Sequence, residues 1–158
     1  MRCLVVPCLV AALSVPAFAD FDAGMKAFER KDYAVAFEQW RPLAEQGMIE
    51  AQYNLGLLYF NGYGVEPDPA EALKWYLAAA EQGYARAQYR VAEIYEADSG
   101  NIEQDLIQAH FWFSLARNRK YLDAKKRTRR VAHRMTPEEI AQSEMLLRHR
   151  KQERGSDD

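Results

Sequence analysis

Three histidines, three tryptophans, one glycine-rich turn and one dense run of arginine and lysine are the residues of this 158-residue chain whose types can do chemistry. His110, His133 and His149 stand 23 and 16 positions apart, so no two share the spacing by which one helix presents paired metal ligands. They read as ordinary surface or interface histidines. Asn61-Gly62-Tyr63-Gly64 resembles a Gly-x-Gly phosphate turn, but a nucleotide turn follows a strand and this one follows a helical apolar pattern. Its glycines are read as turn chemistry. The sequence shows no phosphate loop, no Gly-x-Ser-x-Gly elbow and no His-Glu-x-x-His. The expectation is a protein with no catalytic residue, no metal site and no cofactor.

The basic run is the strongest electrostatic feature. Residues 20–116 carry a net charge of −9, residues 117–134 carry +8, and residues 135–158 carry −2. The candidate basic patch is Arg119, Lys120, Lys125, Lys126, Arg127, Arg129, Arg130 and Arg134. A cluster of this density can contact nucleic acid, anionic lipid or an acidic partner, or it can complement the acidic remainder within or between chains.

Compartment bears on that choice. Met1–Ala19 has the build of a secretory signal: Arg2 is its sole charge, Leu4–Val15 is nearly all apolar, and Ala17-Phe18-Ala19 offers small residues at the two positions a signal peptidase inspects. Pro7 and Pro16 and the short apolar run argue against a membrane anchor, and Pro7 before Cys8 argues against a lipoprotein. Cleavage after Ala19 leaves 139 residues without a thiol, because Cys3 and Cys8 both lie in the leader. The expected location is periplasmic or secreted, which argues against nucleic acid and leaves an anionic envelope surface as the alternative partner of the basic helix.

The elements that must position these groups follow from a repeat. Ala44-Glu45-Gln46-Gly47 returns as Ala80-Glu81-Gln82-Gly83, and Ala51-Gln52-Tyr53 returns as Ala87-Gln88-Tyr89, each after 36 residues. Ala72, Trp75 and Ala79 return as Ala109, Trp112 and Ala116 after 37, and Ala36, Trp40 and Ala44 precede Ala72, Tyr76 and Ala80 by 36. Trp40, Trp75 and Trp112 thus occupy equivalent or adjacent repeat positions, which favours core packing over a sugar-binding row. Within each unit the small and apolar residues keep helical spacing, as in Ala51, Leu55 and Tyr59. Gly47 and Gly83 supply helix stops, and Pro67-Asp68-Pro69 supplies a helix start. Helices are predicted near 23–31, 33–46, 48–61, 69–82, 84–97, 103–117, 120–134 and 137–151. Thr136, Pro137 and Glu139 form a capping box for the last of these. Lys151–Asp158 is expected to fray.

The segments Ala51-Gln52-Tyr53-Asn54-Leu55-Gly56, Asn61-Gly62-Tyr63-Gly64-Val65 and Ala72–Gly83 resemble the Sel-one-like repeat (SLR) family, relatives of tetratricopeptide helix pairs. The likeness is specific over 44–83, degraded over 84–116, where Ala97–Asn101 replaces the glycine-rich loop, and partial over 21–43. Residues 117–151 resemble the closing helices of small secreted bacterial members. The resemblance implies an all-α fold, a right-handed alpha-alpha solenoid with a C-terminal helical cap. Its units are a leader over 1–19, a divergent helix pair over 20–43, repeats over 44–79 and 80–116, basic capping helices over 117–151 and a tail over 152–158.

In tetratricopeptide-like arrays the first-helix face lines a concave groove. The resemblance therefore implies that Tyr53, Asn54, Leu57, Phe60, Arg86, Tyr89, Arg90 and Glu93 contact a protein or peptide ligand, with Tyr53, Leu57, Phe60 and Tyr89 exposed as anchors. The bland alternative is that some of these pack against the neighbouring repeat. Self-association through an exposed end of so short an array stays open as well.

Overall fold

The structure, a computed structural model, describes residues 19–98 and 102–155. The inferred leader up to Phe18, the loop residues 99–101 and residues 156–158 lie outside the described residues. Eight helices follow one another and no strand occurs among the described residues: α1 (Phe21–Glu29), α2 (Tyr33–Glu45), α3 (Ile49–Asn61), α4 (Pro69–Glu81), α5 (Ala85–Glu96), α6 (Leu106–Asn118), α7 (Ala124–Ala132) and α8 (Pro137–Gly155). Each helix from α1 to α6 packs on the next, and α8 turns back to lie on α6. The result is the all-α solenoid of paired helices with a helical cap.

The 36-residue repeat has a hydrogen-bonding reason. At the end of α2 and again at the end of α4 the chain turns through a glycine at φ 92°, Gly47 and Gly83. Gly47 N–H donates to Ala44 O and Met48 N–H to Leu43 O; Gly83 and Tyr84 do the same to Ala80 and Ala79. A residue with a Cβ is strained at that φ. The next helix then sends a buried glutamine back to the helix just ended: Gln52 Nε2 donates to Ala44 O at 3.2 Å and Gln88 Nε2 to Ala80 O at 3.1 Å. Each of these last-turn carbonyls, without a partner inside its own helix, thus takes a second bond beside that from the glycine N–H. Ala-Glu-Gln-Gly and Ala-Gln-Tyr recur together because they are two halves of one joint.

Aspartates start several of the helices. Asp20 accepts from the backbone N–H of Asp22 and Ala23, Asp68 from those of Ala70 and Glu71, and Asp105 from that of Gln108. Each satisfies donors that the helix cannot, worth about 1 kcal/mol. Close approach of paired helices rests on small residues under aromatic rings. A Cβ on Gly56 would lie 2.6 Å from the Tyr76 ring, and one on Gly24 would lie 2.3 Å from Trp40. Trp40, Leu55 and Leu58 anchor a leading core, while Tyr76, Val91, Phe113 and Val131 anchor a trailing one. Trp40 and Trp112 are buried and Trp75 is half-buried against the leading core.

Four helices depart from the predicted ranges by two residues or more. Helix α1 runs Phe21–Glu29 instead of 23–31, because Asp20 caps it and the chain turns at Lys31 (φ 64°). Helix α6 begins at Leu106 instead of 103, where Asp105 caps it. Helix α7 begins at Ala124 instead of 120, because Lys120 (φ 56°) and Leu122 (φ 40°) hold left-handed backbone that no α-helix continues through. Helix α8 runs to Gly155, past the expected fraying point at Lys151. Its capping box is formed: Thr136 N–H donates to Glu139 Oε2 at 2.8 Å and Glu139 N–H to Thr136 Oγ1 at 3.2 Å. The cap is tied to the solenoid by His110 Nδ1 and Ser143 Oγ, 3.0 Å apart and both buried. Burial holds the His110 imidazole below its ordinary pKa of 6.5, with the Arg117 charge acting the same way and Glu144 opposing. Among the described residues no helix is long and apolar enough to cross a membrane.

Candidate functional site

Helices α3, α5 and α7 stand on one side of the array, and the space between them is a cavity of about 340 Å3. Phe60 enters it from the end of α3, Tyr76 from α4, Arg90, Glu93 and Ile94 from α5, and Arg127 from α7, with Ala97 at the rim. Phe60 is 43% exposed, a large apolar surface left facing water at a groove edge.

An ion lattice builds the wall nearest α7. Glu96, buried, accepts from Arg127 at 3.0 Å and from Arg130 at 2.7 Å, with Arg134 at 3.6 Å. Glu93 pairs with Arg90 at 2.8 Å and Arg127 at 3.2 Å. The spacing makes this arrangement: Glu93 and Glu96 are three apart on α5, while Arg127, Arg130 and Arg134 fall on one face of α7 and the turn after it. Arg127 also lies over the rings of Phe113 at 5.2 Å and Tyr89 at 5.9 Å. Two carboxylates thus hold four guanidiniums in place, and the cavity lining itself, with Arg90 and Arg127 against Glu93, keeps one surplus positive charge.

Two side-chain groups at the cavity are buried without hydrogen-bond partners, Tyr76 Oη and Arg127 Nε. Burial pushes the Tyr76 phenol well above its usual range, with Tyr53 and Glu93 adding to the effect and Arg90 opposing it. An unsatisfied buried polar group of this kind costs about 1–3 kcal/mol.

The eight groove residues inferred from the sequence are distributed unevenly. Phe60, Arg90 and Glu93 line the cavity. Tyr53 is half-buried, its ring packed against the cavity-lining Tyr76 at 5.5 Å and against Tyr84 at 5.4 Å. Asn54 points toward the leading pair, its Nδ2 lying 3.7 Å from Met25 Sδ, and Leu57 is half-buried. Arg86 is exposed and lies outside the cavity lining. Tyr89 corrects the expectation of an exposed anchor: it is 8% exposed, its hydroxyl donates to Asp123, and its ring meets Phe113 and Tyr121 edge-on. The third unit closes over it, whereas the equivalent Tyr53 has only a tyrosine edge above it.

The basic patch divides into two faces. Arg127, Arg130 and Arg134 turn inward to Glu93 and Glu96. Lys125, Lys126 and Arg129 are exposed, and with His133, Asp123 and the near edges of Arg127 and Arg130 they line a second, open cavity of about 610 Å3. Arg119 and Lys120 lie exposed in the turn before α7. Sequence reasoning places Arg127 in the basic patch alone and leaves Tyr76 in the core. The signal for Arg127 is present in the matched spacings of Glu93/Glu96 and Arg127/Arg130/Arg134. No signal marks Tyr76, whose position repeats that of the fully packed Trp40. Among the described residues no group of three or more His, Cys, Asp or Glu side chains is placed to hold a metal ion.

Comparison with known proteins accords with this architecture. The Sel1 repeat family matches residues 49–84 and 85–121. Among solved structures, the chain is similar to c5321, a protective antigen of uropathogenic Escherichia coli strains displaying an SLR fold, at 31% identity and a TM-score of 0.75, over 82% of this chain and 28% of that one. It is also similar to a Sel1 repeat protein from Oxalobacter formigenes, at 30% identity and a TM-score of 0.64, over 69% of this chain and 44% of that one. The chain therefore spans less than half the length of either. No curated protein matches it. Sel1 repeats are in general protein–protein interaction modules, and the proteins that carry them are typically non-catalytic. The chain thus carries two consecutive Sel1 repeats, and the solved structures it resembles are SLR-fold proteins.

Proposed function

We propose that the protein is an exported, non-enzymatic adaptor that binds a peptide or protein segment in the groove between α3, α5 and α7. The observation that carries this reading is the cavity itself. It joins an exposed aromatic, Phe60, to a fixed set of charges, Arg90, Glu93 and Arg127, on three different helices. Interfaces draw most of their affinity from a few such aromatic and arginine anchors set in a pocket. Export follows from the Met1–Ala19 leader and is part of the proposal.

The test is an affinity capture with the mature chain beside its Phe60→Ala and Arg90→Ala variants, using envelope extract of the source organism. A protein retained at high salt by the unmodified chain and lost by both variants is the expected result. The same proteins captured by all three forms would refute the groove.

A second reading takes up the outward basic face. Lys125, Lys126 and Arg129 are exposed with no ion-pair partner among the described residues, so they are free to dock on anionic lipid or polysaccharide. Binding of that kind is screened by salt and disappears on charge reversal of Lys125 and Arg129.

A further inference from the structure

A groove for a peptide leaves the chemistry of that peptide open, and the cavity narrows it. Tyr76 is 1% exposed, yet its Oη has no hydrogen-bond partner, and Arg127 Nε is buried in the same condition. Both side chains line the one cavity. A phenol has one O–H to donate and a guanidinium nitrogen only donates. The pair therefore lacks an acceptor.

The local charge says which acceptor. Of the charged side chains that line the cavity, Arg90 and Arg127 are cations and Glu93 is the anion, so the lining carries more positive than negative charge. A neutral carbonyl would satisfy the donors but not the surplus, whereas a carboxylate does both, and hydrogen bonds to charged groups are the stronger kind. The remaining lining, Phe60, Ile94 and Ala97, is apolar and suits an aliphatic or aromatic neighbour of that carboxylate.

Resting on the adaptor reading of the groove, we infer that the cavity receives an aspartate or glutamate side chain of a partner peptide, accepted by Tyr76 Oη and Arg127 Nε, with an adjacent large apolar residue against Phe60. Both donors are screened from solvent in the free protein. The ligand reaches them as Phe60 and Arg90, the two large exposed side chains of the lining, change rotamer, a common adjustment at interfaces. Arg90 then leaves Glu93 for the incoming peptide, and Glu93 keeps Arg127.

The experiment is selection of a displayed random dodecapeptide library on the mature chain. The enriched sequences are then synthesised with acetylated and amidated ends, each beside its isosteric Glu→Gln or Asp→Asn partner. The expected motif is an acidic residue next to Leu, Ile, Phe, Tyr or Trp. The amide form should bind about tenfold more weakly, the size of a lost charged hydrogen bond.

Tyr76→Phe should weaken the acidic peptide roughly five- to tenfold and leave the amide peptide nearly unchanged, while the unfolding midpoint stays level or rises, since an unsatisfied hydroxyl has been removed. A purely structural role for Tyr76 would move both peptides and the unfolding midpoint together. Peptides that need Phe60 but bind equally as acid and amide would overturn this inference and leave the groove standing. Peptides indifferent to Phe60→Ala, or no enriched peptide at all, would overturn both.

Discussion

Both faces of α7 and of the turn after it are basic, and they do different things. Inward, Arg127, Arg130 and Arg134 are drawn onto Glu93 and the buried Glu96, and Arg127 is only 21% exposed along its side chain. Outward, Lys125, Lys126 and Arg129 stand in solvent. The difference teaches that the net charge of a segment does not define a binding site. What decides is whether each cation meets a carboxylate placed by another helix, and here a repeat spacing on α5 settles which arginines become a wall.

Removing the keystone of the inward face should have the largest effect. Glu96→Ala leaves three arginines without their shared carboxylate, one of them mostly buried, and is expected to destabilise the fold by about 2–3 kcal/mol in urea or guanidinium unfolding. Arg127→Ala comes next, at about 1–2 kcal/mol, because it loses two ion pairs and its packing over Phe113 and Tyr89 while Arg130 and Arg134 still cover Glu96. Its outward neighbour sharpens the contrast: Arg129→Ala should stay within about 0.5 kcal/mol of the unmodified chain. Equal effects of Arg127→Ala and Arg129→Ala would break the comparison.

A smaller and pH-dependent effect separates α7 from the cap behind it. His110 is buried against Ser143 with its pKa lowered. Its unfolded form binds a proton first, so stability is lost as pH falls from the ordinary value near 6.5 through the lowered folded one. The groups facing it are Ser143, Arg117 and Glu144. Hydrogen exchange should show α8 loosening in that window more than α7, and His110→Gln should flatten the dependence. An unchanged pH profile in the variant would show that another group governs it.

Much of the architecture was legible in the sequence, for physical reasons. Ala-Glu-Gln-Gly and Ala-Gln-Tyr recur because a glycine turn and a buried glutamine must be rebuilt at each joint, so the repeat, the eight helices and the capping box at Thr136 could be read directly. What could not be read depends on left-handed backbone at Lys120 and Leu122, which shortens α7, since neither residue type announces that conformation. The groove was half legible. Phe60, Arg90 and Glu93 lie on the face that helical periodicity marks, but periodicity treats Tyr53 and Tyr89 alike, and only the third unit closing over Tyr89 distinguishes them. Arg127 belongs to the groove through a contact 34 residues away in sequence, from Glu93, which no local pattern contains.

The central claim is that the ligand lies between α3, α5 and α7 and not on the outer face of α7. Photo-crosslinking tests it most directly, with a benzophenone amino acid placed at Ala97 on the groove rim or at Arg129 on the outer face, in the full chain expressed in its own cells. The account predicts a discrete protein adduct from position 97 and none from position 129. An adduct from 129 alone would contradict it.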